Sequence, residues 1–255
     1  MKRILLSWSS GKDSAWALHV LRRQGAYEVE GLLTTINQAA DRVAMHGVRR
    51  ELLEAQSREA GLPLRVLPLP WPCSNDDYER IMAHACEQAV AEGIDGIAFG
   101  DLFLEDVRAY RESKLSATGL EPIFPIWGLP TDQLARQMIG SGLHARLTCV
   151  DTQVLPAEFA GREFDEQLLH DFDRLDDKVS LGAEPSAEDA STLSARAELS
   201  RGFTDKCGER GEFHTFCYAG PMFSRAIPIS CGEVVLRDRF AFADLMLAQK
   251  AFRQQ

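Results

Sequence analysis

Residues 5–18 read Leu-Leu-Ser-Trp-Ser-Ser-Gly-Lys-Asp-Ser-Ala-Trp-Ala-Leu, an apolar run that turns through small polar residues into a helical pattern. Residues 3–8 have the unbroken apolar character of a buried strand. Residues 14–24 set Ala17, Leu18 and Leu21 on one helical face, with Gly25 as the stop. Ser9-Ser10-Gly11-Lys12-Asp13-Ser14 therefore forms a strand-to-helix junction. A helix start presents unpaired N–H groups and positive potential, which suit a phosphate. Gly11 permits close backbone approach, Ser9, Ser10 and Ser14 supply hydroxyls, and Lys12 adds a positive charge. The pattern is not a Walker loop. Leu6 stands where the first glycine belongs, and Asp13 follows the lysine where Ser or Thr is required.

The same alternation continues outward. Val29–Ile36, Leu64–Leu69, Ile94–Leu102 and Pro122–Trp127 read as further strands. Between them, Val48–Ala60, a segment capped by Ser74-Asn75-Asp76-Asp77, and residues 104–117 read as helices. This rhythm predicts an α/β fold: a Rossmann-like, mostly parallel sheet with helices on both faces. Right-handed crossovers bring Ser9–Ser14, Thr34–Asn37, Pro70–Asn75 and Gly100-Asp101 to the carboxyl edge of that sheet, where ligands bind. From Thr131 the character changes to a helix, a strand over Ala145–Val150, a helix around Phe164–Phe172, and a strand-like region over 212–240. Turns are expected there at Ala219-Gly220-Pro221 and Ser230-Cys231-Gly232. The division expected is a nucleotide-binding domain over 1–128 and a smaller α+β domain over 129–255. Residues 175–201, acidic and rich in Ser and Ala, are expected to be a mobile or peripheral insertion.

The formal charge is −10, from 38 acidic and 28 basic side chains, which counts against non-specific nucleic-acid binding. Apolar residues make up 45%, yet no stretch is long enough to span a bilayer. The N-terminal segment is also too short for a secretory core, so a cytoplasmic protein without a membrane partner is expected. Six cysteines include no Cys-x-x-Cys pair, so free thiols are expected rather than a zinc or cluster site.

The run Ser9–Ser14 resembles the Ser-Gly-Gly-x-Asp-Ser pyrophosphate loop of the N-type ATP pyrophosphatases, adenine nucleotide α-hydrolase-like enzymes of HUP-type fold. Ser10 stands where the first glycine usually is. Four further segments resemble the diphthine–ammonia ligase family: Met45-His46-Gly47-Val48-Arg49, the Gly100–Glu112 segment beginning Gly-Asp-Leu-Phe-Leu-Glu-Asp-Val-Arg, Pro122–Gly128, and Asp205-Lys206-Cys207-Gly208-Glu209-Arg210-Gly211-Glu212-Phe213-His214-Thr215-Phe216. The second of these looks more like bacterial members. Lys206 departs from the family pattern, which has proline there. The likeness spans almost the whole chain apart from 175–201, and it includes the C-terminal region.

The resemblance implies an AMP- and pyrophosphate-forming ligase that uses ATP and Mg²⁺ to adenylate a carboxylate and amidate it with ammonia. The carboxylate is either a small molecule or borne on a protein. On this reading Ser9, Ser10, Gly11, Lys12, Asp13 and Ser14 bind the phosphates, and Thr35, Asn37 and Gly100 face the nucleotide. Lys12, Asp13, Asp101, Glu209 and Glu212 are the candidate catalytic residues, with Asp13 and Asp101 as metal ligands. Arg108, Arg111, Cys207, Gly208, Gly211 and His214 are the candidate substrate residues, and His46 is a comparable candidate. A homo-oligomer is compatible with the sequence. Two other readings remain open: a tRNA-modifying enzyme of the same superfamily, and a non-catalytic nucleotide-binding protein.

Overall fold

A computed structural model describes residues 1–43, 46–181 and 204–248 of the 255-residue chain. The apolar run at the start forms β1 (Lys2–Ser7), and the polar junction leads into α1 (Lys12–Gln24). Gly25 ends α1 in the left-handed conformation, its N–H bonded to the Leu21 carbonyl, as a helix stop requires. The chain continues through β2 (Tyr27–Asn37), the two-residue β3 (Arg42–Val43), α2 (Arg50–Ala60), β4 (Leu64–Leu69), α3 (Asn75–Ala91), β5 (Gly96–Ala98), α4 (Glu105–Leu115) and β6 (Glu121–Ile123). Ser74 caps α3 by accepting the Asp77 N–H.

β4, β2, β1, β5 and β6 lie side by side in that order, all parallel, while β3 folds back antiparallel on the last residues of β2. Alternation along β1 divides the core. Ile4, Leu6 and Trp8 face α1, α2 and α5, whereas Leu5 joins Cys86 and Ala89 of α3 and Leu115 of α4 on the opposite face. The order of connection reverses on either side of β1, so the crevice between the carboxyl ends of β1 and β5 is the switch point where such sheets bind ligands.

The second half comprises α5 (Thr131–Gly140), β7 (His144–Asp151), a 3₁₀ turn at Ala157–Phe159, α6 (Glu166–Leu181), β8 (Phe213–Ala219), β9 (Ile229–Arg237) and β10 (Phe240–Leu247). The four strands form an antiparallel sheet in the order β8-β7-β10-β9. One apolar core runs through both sheets, from Leu6 and Trp16 to Phe164, Phe172, Phe216 and Leu245.

Several expectations are corrected. The strands expected at 94–102 and 122–127 have only three residues each, because their ends open into the loops of the carboxyl edge. Ser230-Cys231-Gly232 is not a turn but part of β9, whose register with β10 shifts between Ala243 and Leu245. β10 itself lies mostly beyond the strand-like region expected. Helix α6 extends past Phe172 to Leu181. The rest of the proposed insertion, residues 182–201, and Met45 lie outside the described residues. Among the described residues no helix is long and apolar enough to cross a membrane.

Candidate active site

The junction that opens the sequence lies at the switch point. Gly11 is the N-cap of α1 in an extended conformation, and Ser10 before it has φ of 70°. That left-handed conformation explains why glycine is favoured at this position. Ser9 Oγ and Ser14 Oγ are 3.2 Å apart, and Ser14 Oγ donates to the Gly11 carbonyl at 3.0 Å. Ser10 Oγ is buried without a hydrogen-bond partner. Gly100 presses on the first turn of α1, where an added Cβ would stand 2.9 Å from Ser14 N and 3.0 Å from Asp13 C. Because the Asp13–Ser14 peptide is backbone that cannot give way, this is a position for glycine.

The second sheet closes over the loop. Thr215 Oγ1 accepts the Lys12 N–H (3.0 Å), and the Cys217 N–H donates to the Ser10 carbonyl (2.9 Å). Gln56, fully buried, donates to the carbonyls of Ser10 (2.9 Å) and Cys217 (2.6 Å) and accepts the Trp8 indole N–H (2.8 Å).

Lys12 is only 1% exposed. Its Nζ lies 2.8 Å from Asp13, donates to the Cys207 carbonyl, and sits over the rings of Phe164 and Phe213. Burial works against its charge, but the Asp13 carboxylate and the Cys207 and Asp205 groups outweigh burial and raise its pKa. The lysine is therefore a buried cation joining the Ser9–Ser14 loop to the C-terminal loop.

That C-terminal loop, residues 205–212, is tightly braced. Asp205 accepts the N–H groups of Cys207 (2.9 Å) and Glu209 (3.1 Å) and the Thr131 hydroxyl (2.7 Å). Glu212, 5% exposed, accepts the N–H groups of Asp205 (3.1 Å) and Arg210 (3.0 Å). Gly208 and Gly211 both have positive φ, and an added Cβ at Gly208 would stand 2.8 Å from the Phe213 carbonyl. Lys206, where the family pattern has proline, reaches α6 and lies 2.6 Å from Asp173.

Glu209 takes a different position. One oxygen accepts the Leu102 N–H at 2.8 Å, directly after Gly100-Asp101. Burial raises its carboxyl to about 7. The Leu102 bond opposes that rise, and the nearby charges of Asp13 and Asp101 add to it. Asp101 is paired with Arg111, whose Nη2 donates to it at 3.0 Å and whose guanidinium lies over Phe99. Burial pushes the Cys207 thiol far up, so it stays protonated and unsuited to nucleophilic attack.

Beside these groups, on the α3/α4 face of the parallel sheet, a cavity of about 770 Å³ opens. Its walls include Ser9, Thr34 and Thr35 from the strand ends, Tyr78 from α3, Arg111 from α4, and His214. His46 also lines it, its ring tilted against that of His214 with centroids 4.5 Å apart. Burial lowers both imidazoles, His214 to about 4, so the pair is neutral near pH 7. The volume suits a nucleoside-sized ligand.

Residues 1–122 match the family model described as the diphthamide synthase N-terminal domain. Over these residues the chain is similar to that family. The chain is also similar to the human protein named diphthine–ammonia ligase, 24% identical over 176 residues that cover 67% of this chain and 55% of that protein. The zebrafish (Danio rerio) protein of the same name is 26% identical over 169 residues, 66% of this chain and 56% of that one. The chain thus spans about half the length of the curated relatives it matches. Among solved structures, a predicted subunit of tRNA methyltransferase from Methanocaldococcus jannaschii aligns with a TM-score of 0.40 and 16% identity, covering 58% of this chain and 80% of that one. A U34-tRNA thiolase from Methanococcus maripaludis aligns with a TM-score of 0.33 and 16% identity, covering 54% and 56%.

Residues 1–122 supply the Ser9–Ser14 loop, Gly100, Asp101 and most of the cavity. The loop 205–212 supplies Glu209, and β8 supplies His214. Not every candidate converges. Asn37 lies outside the cavity wall; its Oδ1 accepts the N–H groups of Ala39 (2.9 Å) and Ala40 (3.1 Å) and caps the turn after β2. Arg108 pairs with Glu112 at 2.7 Å and stacks on Phe124 and Trp127. Among the described residues no group of three or more His, Cys, Asp or Glu is arranged to hold a metal ion. Asp13 and Asp101, the expected ligands, are each paired with a cation. The sequence reading placed Thr34 on the ligand edge without a role, and it missed Tyr78 and Gln56, which carry no motif, and the bracing role of Asp205, which lay within the quoted segment.

Proposed function

We propose that this chain is an ATP-dependent ligase that forms AMP and pyrophosphate, adenylating a carboxylate and amidating it with ammonia in the manner of a diphthine–ammonia ligase. The observation that carries this reading is the position of Glu209. An acidic loop of the second sheet places one carboxylate on the backbone beside Gly100-Asp101, next to the helix start that suits a triphosphate. A protein that only holds nucleotide has no use for a second acid there.

The cavity receives the adenosine, and the α1 start with Ser9, Ser10 and Ser14 receives the outer phosphates. In the first step a carboxylate oxygen of the substrate attacks the α-phosphorus. The bond to the bridging oxygen breaks, and pyrophosphate leaves with that electron pair. In the second step ammonia attacks the acyl carbon, AMP leaves with the C–O electron pair, and the nitrogen loses a proton. Fixed N–H donors stabilise the charge gathering on phosphate. Lys12 holds the two loops together and adds positive potential from below. Glu209, ionised above about 7, holds ammonium and takes up its proton.

Mg²⁺ commonly uses one or two carboxylates and completes its shell with phosphate and water. Asp13 and Asp101 fit that demand only by exchanging their Lys12 and Arg111 partners. A nucleotide-borne Mg²⁺ is therefore in keeping with the site, and a resident ion is not. Bound in this way, it would neutralise phosphate charge.

The test incubates the protein with ATP, Mg²⁺, ammonium and a panel of carboxylic acids. Pyrophosphate release that depends on one acid and is lost in Glu209→Gln supports the reading. Release of orthophosphate, or acid-independent turnover, would sink it.

A further inference from the structure

β9 ends the antiparallel sheet. Its inner edge is bonded to β10 in regular register from Arg237 opposite Phe240 to Val234 opposite Ala243 and, past a one-residue irregularity at Gly232-Glu233, from Cys231 opposite Leu245 to Ile229 opposite Leu247. Its outer edge has no strand partner among the described residues. The opposite edge of the sheet differs, because β8 spends its Cys217 N–H on the Ser10 carbonyl. Along β9, Val234, Val235 and Leu236 are 47%, 41% and 64% exposed in succession, so both faces of the strand are bare. Natural edges of this kind are blunted by lysine, proline, a bulge or a covering element, and here the irregularity lies at the end of the exposed run, leaving Val234–Arg237 regular. The stretch Glu233-Val234-Val235-Leu236-Arg237 has no lysine or proline.

We propose that this edge is a self-association surface, on which β9 of a second copy of the chain pairs antiparallel about a twofold axis at Val235. The five residues complement themselves in that register alone. Glu233 faces Arg237 of the second copy at both ends, Val234 faces Leu236, and Val235 faces its own equivalent. Directly opposed side chains on an antiparallel pair share a face, so opposite charges attract and apolar groups pack. An axis at Val234 would set Glu233 against Val235 and Arg237 against Cys231. An axis at Leu236 would set Arg237 against Val235 and carry Glu233 past the end of the opposing strand. Neither Glu233 nor Arg237 has an ion-pair partner among the described residues; the Arg237 guanidinium lies 6.0 Å over the Phe242 ring. Pairing of this kind is isologous and closes at two copies. It joins the two antiparallel sheets into one and removes the free edge of each. This inference is independent of the ligase reading.

Sedimentation equilibrium of the full chain over a concentration series tests it. The wild type is expected at twice the monomer mass. Glu233→Arg opposes like charges at both ends and should weaken the dimer by about tenfold or more. Arg237→Glu should do the same, and the double swap Glu233→Arg with Arg237→Glu should restore the dimer. Val235→Lys, which sets two ammonium groups on the axis, should give a monomer. A wild type that is monomeric throughout would overturn the proposal, as would a Glu233→Arg protein of unchanged mass or a double swap that fails to rescue. A monomeric wild type with this edge covered by another segment of its own chain counts in the same way.

Discussion

Ser10 carries two costs at once: a left-handed backbone that disfavours any side chain, and a buried hydroxyl without a partner. Glycine removes both and loses only some unfolded-chain entropy. Ser10→Gly should therefore stabilise the fold by about 1 kcal/mol and raise the KM for ATP if the hydroxyl serves a phosphate. Urea denaturation reads the first effect, and a lowered midpoint would contradict it. Glu209 gives a pH prediction. Its carboxyl is raised from 4.5 to about 7, so folding favours the protonated form. That contribution is complete below 4.5 and is lost as pH rises through about 7. If ionised Glu209 handles ammonium, turnover at constant free ammonia should rise through about pH 7 while stability falls. Glu209→Gln should flatten both trends, and an unchanged activity limb in that variant would reassign the group.

At the level of elements, one carboxylate holds the segment between β3 and α2. Asp244 on β10 accepts Arg42 (2.9 Å) and both Nε and Nη2 of Arg49 (3.0 and 2.6 Å), and Arg42 also donates to the Gly47 carbonyl (2.7 Å). The segment so held carries His46 to the cavity wall. The hydrogen bond from Arg49 is the chief cause that brings Asp244 down to about 2, with Arg42 adding to it against partial burial. Stability from this clamp is present above the ordinary 3.8 and is lost as pH falls through about 2. Partial exposure of all three side chains screens it, so Asp244→Asn should cost about 1 kcal/mol. It should also remove the part of the acid transition that Asp244 contributes. Chemical denaturation at pH 7 and pH 3 checks this, because the gap between wild type and variant should narrow at the lower pH.

Across the whole molecule, the two sheets meet at the Ser9–Ser14 loop, and Gln56 is the joint. Its amide serves Trp8 in β1's extension, Ser10 in the loop and Cys217 in β8. Gln56→Leu keeps the volume but orphans a buried indole N–H and a buried carbonyl, at a cost of about 3 kcal/mol. Because the same contacts fix the loop, ATP affinity should fall with stability, whereas Gln56→Glu keeps an acceptor for Trp8 and loses the two donations. Calorimetric titration of the two variants separates these contributions. A Gln56→Leu protein that keeps both the wild-type midpoint and its ATP affinity would show that the sheets hold the loop by other means.

The parallel sheet was legible because its signals are local. Apolar runs alternate with amphipathic stretches, Gly25 and Gly61 stop helices, and Ser74 caps one, so each element follows from a few neighbouring residues. The strand-to-helix junction at Ser9–Ser14 was legible for the same reason. The acid loop at 205–212 could be recognised as a motif, yet its two glutamates look alike in sequence. Only the fold separates them, since Glu212 is spent on the N–H groups of its own loop while Glu209 reaches Leu102. Lys12 reads as a mobile phosphate ligand and is instead enclosed by Asp13, Cys207, Phe164 and Phe213, three of them distant in the chain. Contacts across 195 residues, such as Lys12 to the Cys207 carbonyl, leave no periodic trace in the sequence. They depend on how one sheet lands upon another, and that packing is decided in three dimensions.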